Sequence, residues 1–327
     1  MQNFELLMNY STNPAFNLAL EEYALTRMER EAVILWRNAQ AVIIGRNQNA
    51  IEEIDMDYVR ENGISVIRRL SGGGAVFHDL GNINFTVINA LGGDDFGNYE
   101  KFTAPVCDFL QSLGVNARLE GRNDLVIDGM KFSGNAQAVR AGRIMHHGTI
   151  LFDADMSALG KALRPKQAKV ESKGVKSVRA RVTNVADHLP EPMTAEEFFN
   201  RLAEYFRCVA CGDEFALSEE DVAAVGALVA EKYGAWEWNI GSSPAYNFER
   251  SVRFPFGSVD LRLSVADGVI RQAYIYGDFF GVADKLELEE RLIGVFHDKT
   301  AIKSALTGIK LDRYIHGCSL DDFLDLF

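Results

Sequence analysis

Apolar and polar residues alternate along much of this chain with the short period of β-strands, and a few helical stretches separate the strand-like runs. Asn13-Pro14 is a favourable helix start, and the apolar positions that follow predict a helix to about Glu31. A short helix near Met56 to Glu61 and a longer one from Asn98 to Leu113 are also predicted. The predicted strands here are 32–37 and 41–46, on either side of a turn at 38–40, then 64–70 and 84–90.

A β-meander is predicted from Asn123 to Phe152. Asp128-Gly129 between apolar runs is a strong signal for a two-residue hairpin turn, and Ala141-Gly142 is a plausible second turn. Short connections between strands favour antiparallel or mixed sheets, and no regular alternation of strand and helix is visible. The predicted fold class is therefore α+β, with mixed, largely antiparallel sheets and flanking helices.

Two further helix starts are predicted before the end of the first domain. Thr194 to Glu197 opens a helix as a capping box, and Ser218 to Asp221 resembles a second helix start.

The residues after Gly241 predict a separate small unit. Gly241 to Pro244 is a candidate linker. Three strand-like runs follow it, with a turn at Asp267-Gly268 and helices near 284–296 and at the C-terminus. We therefore expect two domains, 1–243 and 244–327, of which the second is a small α+β accessory domain.

Composition excludes several classes of protein. The 34 Lys and Arg against 46 Asp and Glu give a net charge of −12, which argues against a general nucleic-acid binder. Four cysteines are too few for a disulfide scaffold. No apolar run approaches the ~20 residues of a membrane span, and no signal peptide is visible. These features predict a cytoplasmic protein with no membrane partner.

The densest chemical signal is the stretch from Arg68 to Asp79. Three consecutive glycines, Gly72 to Gly74, follow a predicted strand and would let backbone amides approach an anionic ligand. Arg68 and Arg69 could add charge-assisted bonds to phosphate. A tight turn or bulge is the structural alternative. The spacing matches neither the dinucleotide fingerprint nor the P-loop, so those two sites lack a basis here.

Lys131 is the second candidate. It lies near the start of a predicted strand and faces away from its neighbours Met130 and Phe132. Such a lysine is either solvated on an exposed sheet face or aimed into a cleft, where it would polarise a carboxylate and neutralise phosphate.

Histidines and cysteines give weaker signals. His146 and His147 are adjacent on a predicted strand and should point to opposite faces, which disfavours a shared zinc ion, and His78-Asp79 meets the same objection. We expect these histidines to hydrogen-bond within the sheet or to a ligand. No Gly-x-Ser-x-Gly elbow is present. None of the four cysteines lies in the glycine-rich or lysine segments, and Cys208 and Cys211, after a predicted helix, should be buried free thiols.

Taken in order, these segments resemble lipoate–protein ligase A. The motifs that carry the resemblance are Gly45-Arg-Asn-Gln-Asn49, Arg68-Arg-x-Ser-Gly-Gly-Gly-Ala-Val-Phe-His-Asp-x-Gly-Asn82, Gly121-Arg-Asn-Asp-Leu125, Lys131-x-Ser-Gly134, His146-His-Gly-Thr149, Glu171-Ser-Lys-Gly-Val-Lys-Ser-Val-Arg-Ala-Arg-Val-Thr-Asn184 and Trp236-Glu-Trp238. They extend over nearly the whole chain, and several motifs in the family's order are far more specific than any one of them.

The resemblance implies the catalytic domain shared by biotin and lipoate ligases, followed by a small accessory domain. It also implies a two-step reaction. Lipoate and MgATP would give lipoyl-AMP and pyrophosphate, and the lipoyl group would then pass to a specific lysine of a lipoyl domain. The acceptors would be lipoyl domains of 2-oxoacid dehydrogenase complexes, the glycine-cleavage H protein, or both.

Roles for individual residues also follow from the resemblance. Lys131 would be catalytic and would contact both the lipoyl carbonyl and the α-phosphate. The residues implied for ATP are Arg69, Gly74, Ala75, Val76, Phe77 and Lys131. Those implied for lipoate are Lys131, Ser71, Gly72, Gly73 and His147. The phosphate side would hold Asn82, Asn123 and Asp124, with Asp124 a candidate for the Mg²⁺ region. A basic loop would close over the adenylate; its residues are Lys173, Gly174, Val175, Lys176, Ser177, Val178, Arg179 and Arg181.

Three alternatives stay open at this stage. An octanoyl or lipoyl transferase of the same superfamily would work without ATP through a cysteine nucleophile, but the stretch from Gly148 to Pro165 contains no cysteine. An inactive lipoate-binding protein is the second alternative, although the matched motif positions keep their functional residue types. A biotin ligase is the third, and the motifs favour the lipoate family. The sequence does not decide between lipoate and octanoate.

Overall fold

The computed structural model describes residues 4–48, 50–163, 182–209, 211–240, 248–266, 268–297 and 299–327. Its helices are α1 (Pro14–Thr26), α2 (Ala50–Glu53), α3 (Met56–Glu61), α4 (Tyr99–Ser112), α5 (Met156–Ala162), α6 (Ala195–Val209), α7 (Glu219–Leu228), α8 (Trp236–Asn239), α9 (Lys285–Leu292), α10 (Lys299–Ala305) and α11 (Leu320–Leu324). Within those ranges, no helix combines the length and the apolar character needed to cross a bilayer.

The strands are β1 (Phe4–Asn9), β2 (Ala32–Arg37), β3 (Ala41–Ile44), β4 (Ser65–Arg68), β5 (Val76–His78), β6 (Asn82–Ala90), β7 (Ala117–Glu120), β8 (Asp124–Ile127), β9 (Met130–Arg140), β10 (Arg143–Leu151), β11 (Cys211–Phe215), β12 (Phe248–Phe254), β13 (Gly257–Ala266) and β14 (Val269–Gly277). They form one sheet of eight strands and two sheets of three. The α+β fold class with mixed sheets is confirmed.

The eight-stranded sheet has the order β11-β1-β2-β6-β10-β9-β8-β7. β1 runs parallel to β2 and β11, and the remaining pairs are antiparallel. One face buries phenylalanines, including Phe85 and Phe132, against α4 and α6. The other face packs on α1 through residues such as Ile34 and Ile88. Helices therefore cover both faces of the central strands of this sheet.

Strands β2 and β3 lie in different sheets, although only residues 38–40 separate them. β3 is the central strand of a three-stranded sheet, parallel to β4 and antiparallel to β5. Asn38 is fully buried in the connection, and its side chain contacts Asn17 and His78. The connection is thus a crossing from one sheet to the other.

Both predicted turns of the meander are present. Asp128 and Gly129 have φ angles of 51° and 78°, and Ala141 and Gly142 have 51° and 72°. Positive φ at both central positions is the type I′ geometry that matches the twist of the flanking strands. β9 and β10 are consequently held in a continuous register, with His147 opposite Ala136 and Gly148 opposite Asn135.

The helix starts predicted by capping boxes are confirmed. The backbone N–H of Thr194 donates to the Glu197 carboxylate at 2.7 Å, and Glu197 N–H donates back to Thr194 Oγ1 at 3.2 Å. Ser218 and Asp221 make the same reciprocal pair at α7. The first helix, by contrast, ends at Thr26 rather than near Glu31.

β12, β13 and β14 form an antiparallel sheet whose apolar face is covered by α9, α10 and α11. The predicted linker and the residue 243/244 boundary lie outside the described residues, as does Asp267 of the predicted turn.

Cys107 and Cys318 are buried free thiols, but Cys208 on α6 is exposed, which corrects the prediction of a buried thiol there. Position 208 falls on the solvent side of an amphipathic helix.

Candidate active site

A cavity of about 140 Å³ lies between the eight-stranded sheet, the three-stranded sheet of β3, β4 and β5, and helix α1. Leu18, Trp36, Ile43 and Val76 make one part of its wall apolar. The polar part includes Gly73, Gly74, Asn123 and Lys131. The cavity is therefore suited to a molecule with an apolar tail and an anionic head.

Two residues of the cavity wall lie far apart across the large sheet. Trp36 is on β2 and Lys131 is on β9, with β6 and β10 between them. Three strand spacings correspond to roughly 14 Å across the sheet. That distance accommodates a medium-length acyl chain lying across the strands.

Lys131 and the glycine turn line this one cavity. The Lys131 amine lies 2.7 Å from Asp124 Oδ1 on the neighbouring strand, and both side chains are more than one third exposed. A Cβ atom at Gly134 would stand 3.1 Å from the same amine, so the glycine leaves room for it. The lysine of the sequence motif is thus directed into a cleft rather than onto an open sheet face.

Arg69 is buried beneath the glycine turn and shapes it. Its guanidinium donates to the carbonyls of Gly72 at 2.6 Å, Gly74 at 2.8 Å and Ile43 at 3.1 Å, and to Ser71 Oγ at 3.0 Å. Burial lowers the pKa of Arg69 to about 10, so it stays charged at neutral pH. The residue also lines the cavity, where its charge favours an anion.

Arg68 has a different setting from its neighbour. Its guanidinium donates to backbone carbonyls only, those of Gly45, Arg46, Gln48, Trp238 and Asn239. These bonds tie the end of β4 to the 45–48 turn and to α8. The expectation that both arginines could reach phosphate is therefore wrong for Arg68, because its donors are used in holding the fold.

The remaining sequence-predicted residues divide into two groups. Ala75, Val76, His147 and Asn123 line the cavity beside Gly73 and Gly74. Phe77 packs in a core cluster with Val42 and Ile44, and Asn82 is fully buried, donating to Asn84 Oδ1 at 2.9 Å. Neither of these two side chains lines the cavity. The predicted residues Ser71, Gly72 and Asp124 are not part of its wall either, although each contacts a residue that is. The predicted adenylate loop from Lys173 to Arg181 lies outside the described residues.

His147 is held by a buried chain of polar groups. Its Nδ1 lies 2.9 Å from Glu21 Oε1, and its Nε2 lies 2.6 Å from Ser71 Oγ. Glu21 also accepts from Thr86 Oγ1 at 2.6 Å, and Thr86 accepts from Trp36 Nε1 at 2.9 Å. The imidazole is therefore oriented from both sides before any ligand binds. This chain links the apolar part of the wall to the glycine turn.

Sequence reasoning missed Glu21. The signal was available, because Glu21 stands three positions after Leu18 and four before Leu25, on the buried face of α1. A carboxylate at such a position needs buried hydrogen-bond donors. Those donors come from strands far along the chain, which the helical pattern alone does not identify.

His146 lies on the opposite face of the sheet, as predicted. Its ring stacks on Phe102 with centroids 5.0 Å apart and contacts Asn135 Oδ1 at 3.2 Å and Gln137 Nε2 at 3.3 Å. Burial lowers its pKa well below the usual histidine value, so the ring is neutral. Shared metal ligation by His146 and His147 is excluded by this arrangement.

Asp124, whose Oδ1 lies 2.7 Å from the amine of the cavity-lining Lys131, is the carboxylate that a metal ion near the polar end of the cavity could use. Across the described ranges, no three His, Cys, Asp or Glu side chains form a group that could hold a metal ion. Mg²⁺ commonly enters nucleotide sites on substrate phosphates with only one or two protein carboxylates. The residues present therefore fit Mg²⁺ brought by a nucleotide better than a resident metal.

The C-terminal unit closes part of the site. Phe280 lines the cavity, and the Arg122 guanidinium lies 4.5 Å from the centre of its ring. Asp284 forms a 2.6 Å ion pair with Arg46, and Gly277 N–H donates to the carbonyl of Asn47 at 2.7 Å. Sequence reasoning missed this contribution, because no motif lies in 277–284.

Two family models match the chain. The lipoyl protein ligase A/B catalytic domain matches residues 13–207, and the bacterial lipoate protein ligase C-terminus matches residues 243–327. The lipoate-protein ligase LplJ of Bacillus subtilis is 46% identical over 319 residues, which are 96% of either chain.

Solved structures agree with these matches. LipL1 of P. falciparum, in complex with lipoate, has a TM-score of 0.79 at 24% identity and covers 98% of this chain and 97% of its own. A bipartite lipoate protein ligase from Thermoplasma acidophilum, described with its E2 lipoyl domain, has a TM-score of 0.66 at 31% identity, covering 76% and 100%. A lipoate-protein ligase A bound with ATP has a TM-score of 0.63 at 30% identity, covering 74% and 99%.

Proposed function

Because this chain belongs to the lipoate–protein ligase A family, we propose that it activates lipoate with ATP and ligates the lipoyl group to a protein lysine through lipoyl-AMP. The observation that carries the proposal is the convergence of Lys131 with Gly73 and Gly74 on one cavity that has an apolar extension. The apolar extension suits the acyl chain of lipoate, and the backbone amides of the glycine turn and the Lys131 ammonium suit its carboxylate and the phosphates of ATP.

In the first step, a carboxylate oxygen of lipoate would attack the α-phosphorus of ATP, and the bond to the β-phosphate bridging oxygen would break. Both reactants are anionic, so positive charge and proximity supply most of the catalysis. Lys131 would lie between the carboxylate and the α-phosphate and reduce their repulsion. Asp124 would help to hold Mg²⁺, which would supply further charge neutralisation at the phosphates.

In the second step, the acceptor lysine amine would attack the lipoyl carbonyl carbon. AMP would leave with the electrons of the broken C–O bond, and the proton lost by the amine would pass to water. The Lys131 ammonium would stabilise the oxyanion that develops on the carbonyl oxygen. We propose lipoyl domains of 2-oxoacid dehydrogenase complexes, the glycine-cleavage H protein, or both, as acceptors. The lipoyl domain described with the archaeal relative supports the first of these. A loop over residues 173–181 would shield the adenylate from water.

The deciding experiment measures pyrophosphate release with lipoate and ATP, with and without a purified lipoyl domain. We expect release with lipoate alone, and a lipoylated acceptor by mass spectrometry when the domain is added. An acyl-thioester on this protein formed without ATP would instead support a transferase. Lipoate binding by calorimetry with no pyrophosphate release would support an inactive binding protein.

Replacing Arg69 with alanine should weaken the binding of ATP more than the binding of lipoate. The change removes a buried charge and its bonds to the Gly72 and Gly74 carbonyls, which shape the proposed nucleotide turn. Hydrogen bonds to charged groups are strong enough that we expect the KM for ATP to rise roughly tenfold or more. Steady-state kinetics with each substrate varied would check this, with exposed Arg118→Ala as a control. Equal losses for the two substrates would count against the assignment.

A further inference from the structure

Thr86 is a fully buried polar residue that the proposed mechanism does not use. It lies on β6, near the middle of the eight-stranded sheet, and pairs with Ile34 of β2 on one side and His147 of β10 on the other. Ile34 belongs to the apolar layer between this face and α1. A valine would fill the same space as Thr86, and a hydroxyl is stable there only because it is hydrogen-bonded.

The Thr86 hydroxyl makes two hydrogen bonds to buried side chains. Trp36 Nε1 can only donate, so Thr86 Oγ1 accepts this bond at 2.9 Å. The single hydroxyl hydrogen then goes to Glu21 Oε1, which lies 2.6 Å away. Trp36 and Glu21 are both buried, so the loss of either bond would leave a polar group without a partner and away from water.

Each of these two bonds leads to a residue of the cavity wall. Trp36 lines the cavity itself. Glu21 Oε1 lies 2.9 Å from His147 Nδ1, and His147 also lines the cavity. Thr86 is not a wall residue, but it holds one wall residue directly and a second one through Glu21.

The two rings lie along the path proposed for the acyl chain. Trp36 on β2 is at one end of this path, and His147 on β10 lies between it and Lys131 on β9. Both nitrogens of His147 are engaged, with Glu21 and Ser71, so the ring limits the cavity by its shape. A wall whose side chains are already fixed gives up less conformational freedom when a ligand binds.

We propose that Thr86 is a positioning residue for the acyl substrate, because its hydroxyl fixes the Trp36 ring directly and the His147 ring through Glu21. The inference rests on the proposed ligase function and adds to it a residue that touches no substrate. Without the hydroxyl, the indole N–H and the Glu21 carboxylate would each lose a partner, and the two rings would be free to take other orientations. Part of the binding energy of the acyl chain would then be used to order them.

The test compares Thr86→Val, which keeps the branched shape and removes the hydroxyl, with Thr86→Ser, which keeps the hydroxyl. In Thr86→Val, we expect the Kd for lipoate by calorimetry and the KM for lipoate to rise roughly 3- to 10-fold. The KM for ATP should stay close to the wild-type value, because no hydrogen bond of the Thr86 hydroxyl reaches the Gly72–Gly74 turn. Thr86→Ser should bind lipoate like the wild type. Unchanged lipoate affinity in Thr86→Val, the same loss in Thr86→Ser, or an equal rise of both KM values would overturn the proposal.

A double-mutant cycle separates positioning from a general loss of stability. Trp36→Phe keeps an aromatic residue in the wall and removes the N–H group that Thr86 accepts. Thr86→Val should therefore raise the Kd for lipoate less in the Trp36→Phe background than in the wild type, since residues in one hydrogen-bond network are not additive. An equal rise in the two backgrounds would show that Thr86 does not act through Trp36, and the proposal would be wrong.

A measurement on Trp36→Phe keeps the proposal testable if Thr86→Val does not fold. In protein with ¹⁵N-labelled histidine, the ring signals of His147 should shift relative to the wild type, because Thr86 and Glu21 connect the two side chains. Unshifted signals would reject this connection. If the wild type bound lipoate but released no pyrophosphate, the ligase proposal would fail, and calorimetry on the Thr86 variants would still test the positioning. If the wild type ligated lipoate and Thr86→Val bound it normally, the positioning inference alone would fail.

Discussion

Lys131→Ala is expected to lower adenylate formation by roughly 1,000-fold or more while leaving the fold intact. Loss of a single preorganised donor at a developing charge already costs about 10²–10³ in rate, and this lysine would act on two anionic partners. Its amine contacts Asp124 at a half-exposed position, so truncation leaves no buried cavity. The defect should therefore appear in chemistry rather than in stability.

Lipoate-dependent pyrophosphate release and thermal unfolding would be measured together for this variant. Lys101→Ala is a matched control, because Lys101 also pairs with an aspartate, Asp95 at 2.5 Å, and does not line the cavity. The control should retain wild-type rates. Wild-type pyrophosphate release by Lys131→Ala would refute the proposed role of the lysine.

Gly72→Ala is expected to reduce ligation roughly 100-fold, because it displaces the turn that lines the cavity. A Cβ atom at Gly72 would overlap the Phe279 carbonyl and stand 3.0 Å from Phe280 Cα. Both are backbone atoms of the C-terminal unit and have little freedom to move away. Small misplacements of binding groups cost about 10²-fold in rate, and overpacking costs about 1–3 kcal/mol of unfolding free energy.

Gly74→Ala provides the matched control for stability. It lies two residues further along the same turn, and a Cβ atom there meets no heavy atom within 4 Å among the described residues. Thermal unfolding of the two variants should therefore differ, with Gly72→Ala the less stable. A Gly72→Ala protein that unfolds and ligates like the wild type would show that the contact with Phe279 does not constrain the turn.

Local features of the fold were predictable because they depend on neighbours in the sequence. The type I′ turn at Asp128-Gly129 and the capping box at Thr194 are set by residues within four positions. The sheet that each strand joins is not set this way. β2 and β3 look like a hairpin by pattern, but buried Asn38 has partners on α1 and β5 that direct the chain into a second sheet.

The candidate site shows the same division. The glycine turn and Lys131 could be identified because their motifs are contiguous, and the structure brings them to one cavity. The pattern could not separate Arg68 from Arg69, since Arg68 is held by carbonyls as far along the chain as Trp238, whereas Arg69 bonds the nearby carbonyls of Gly72 and Gly74. Phe280 was not predictable for a related reason, because the Phe279-Phe280 pair carries no signal of the surface that it covers.

The two-residue turn at Ala141-Gly142 governs chemistry at a site it does not touch. It sets β9 against β10 so that His147, which is bonded to Glu21, lines the cavity, while His146, which is enclosed by aromatic rings, lies on the opposite face of the sheet. A hairpin slipped by a single position would exchange the two rings between the faces of the sheet, and His147 would lose its contacts with Glu21 and Ser71. The length of a surface loop is thus part of the specification of the reaction centre.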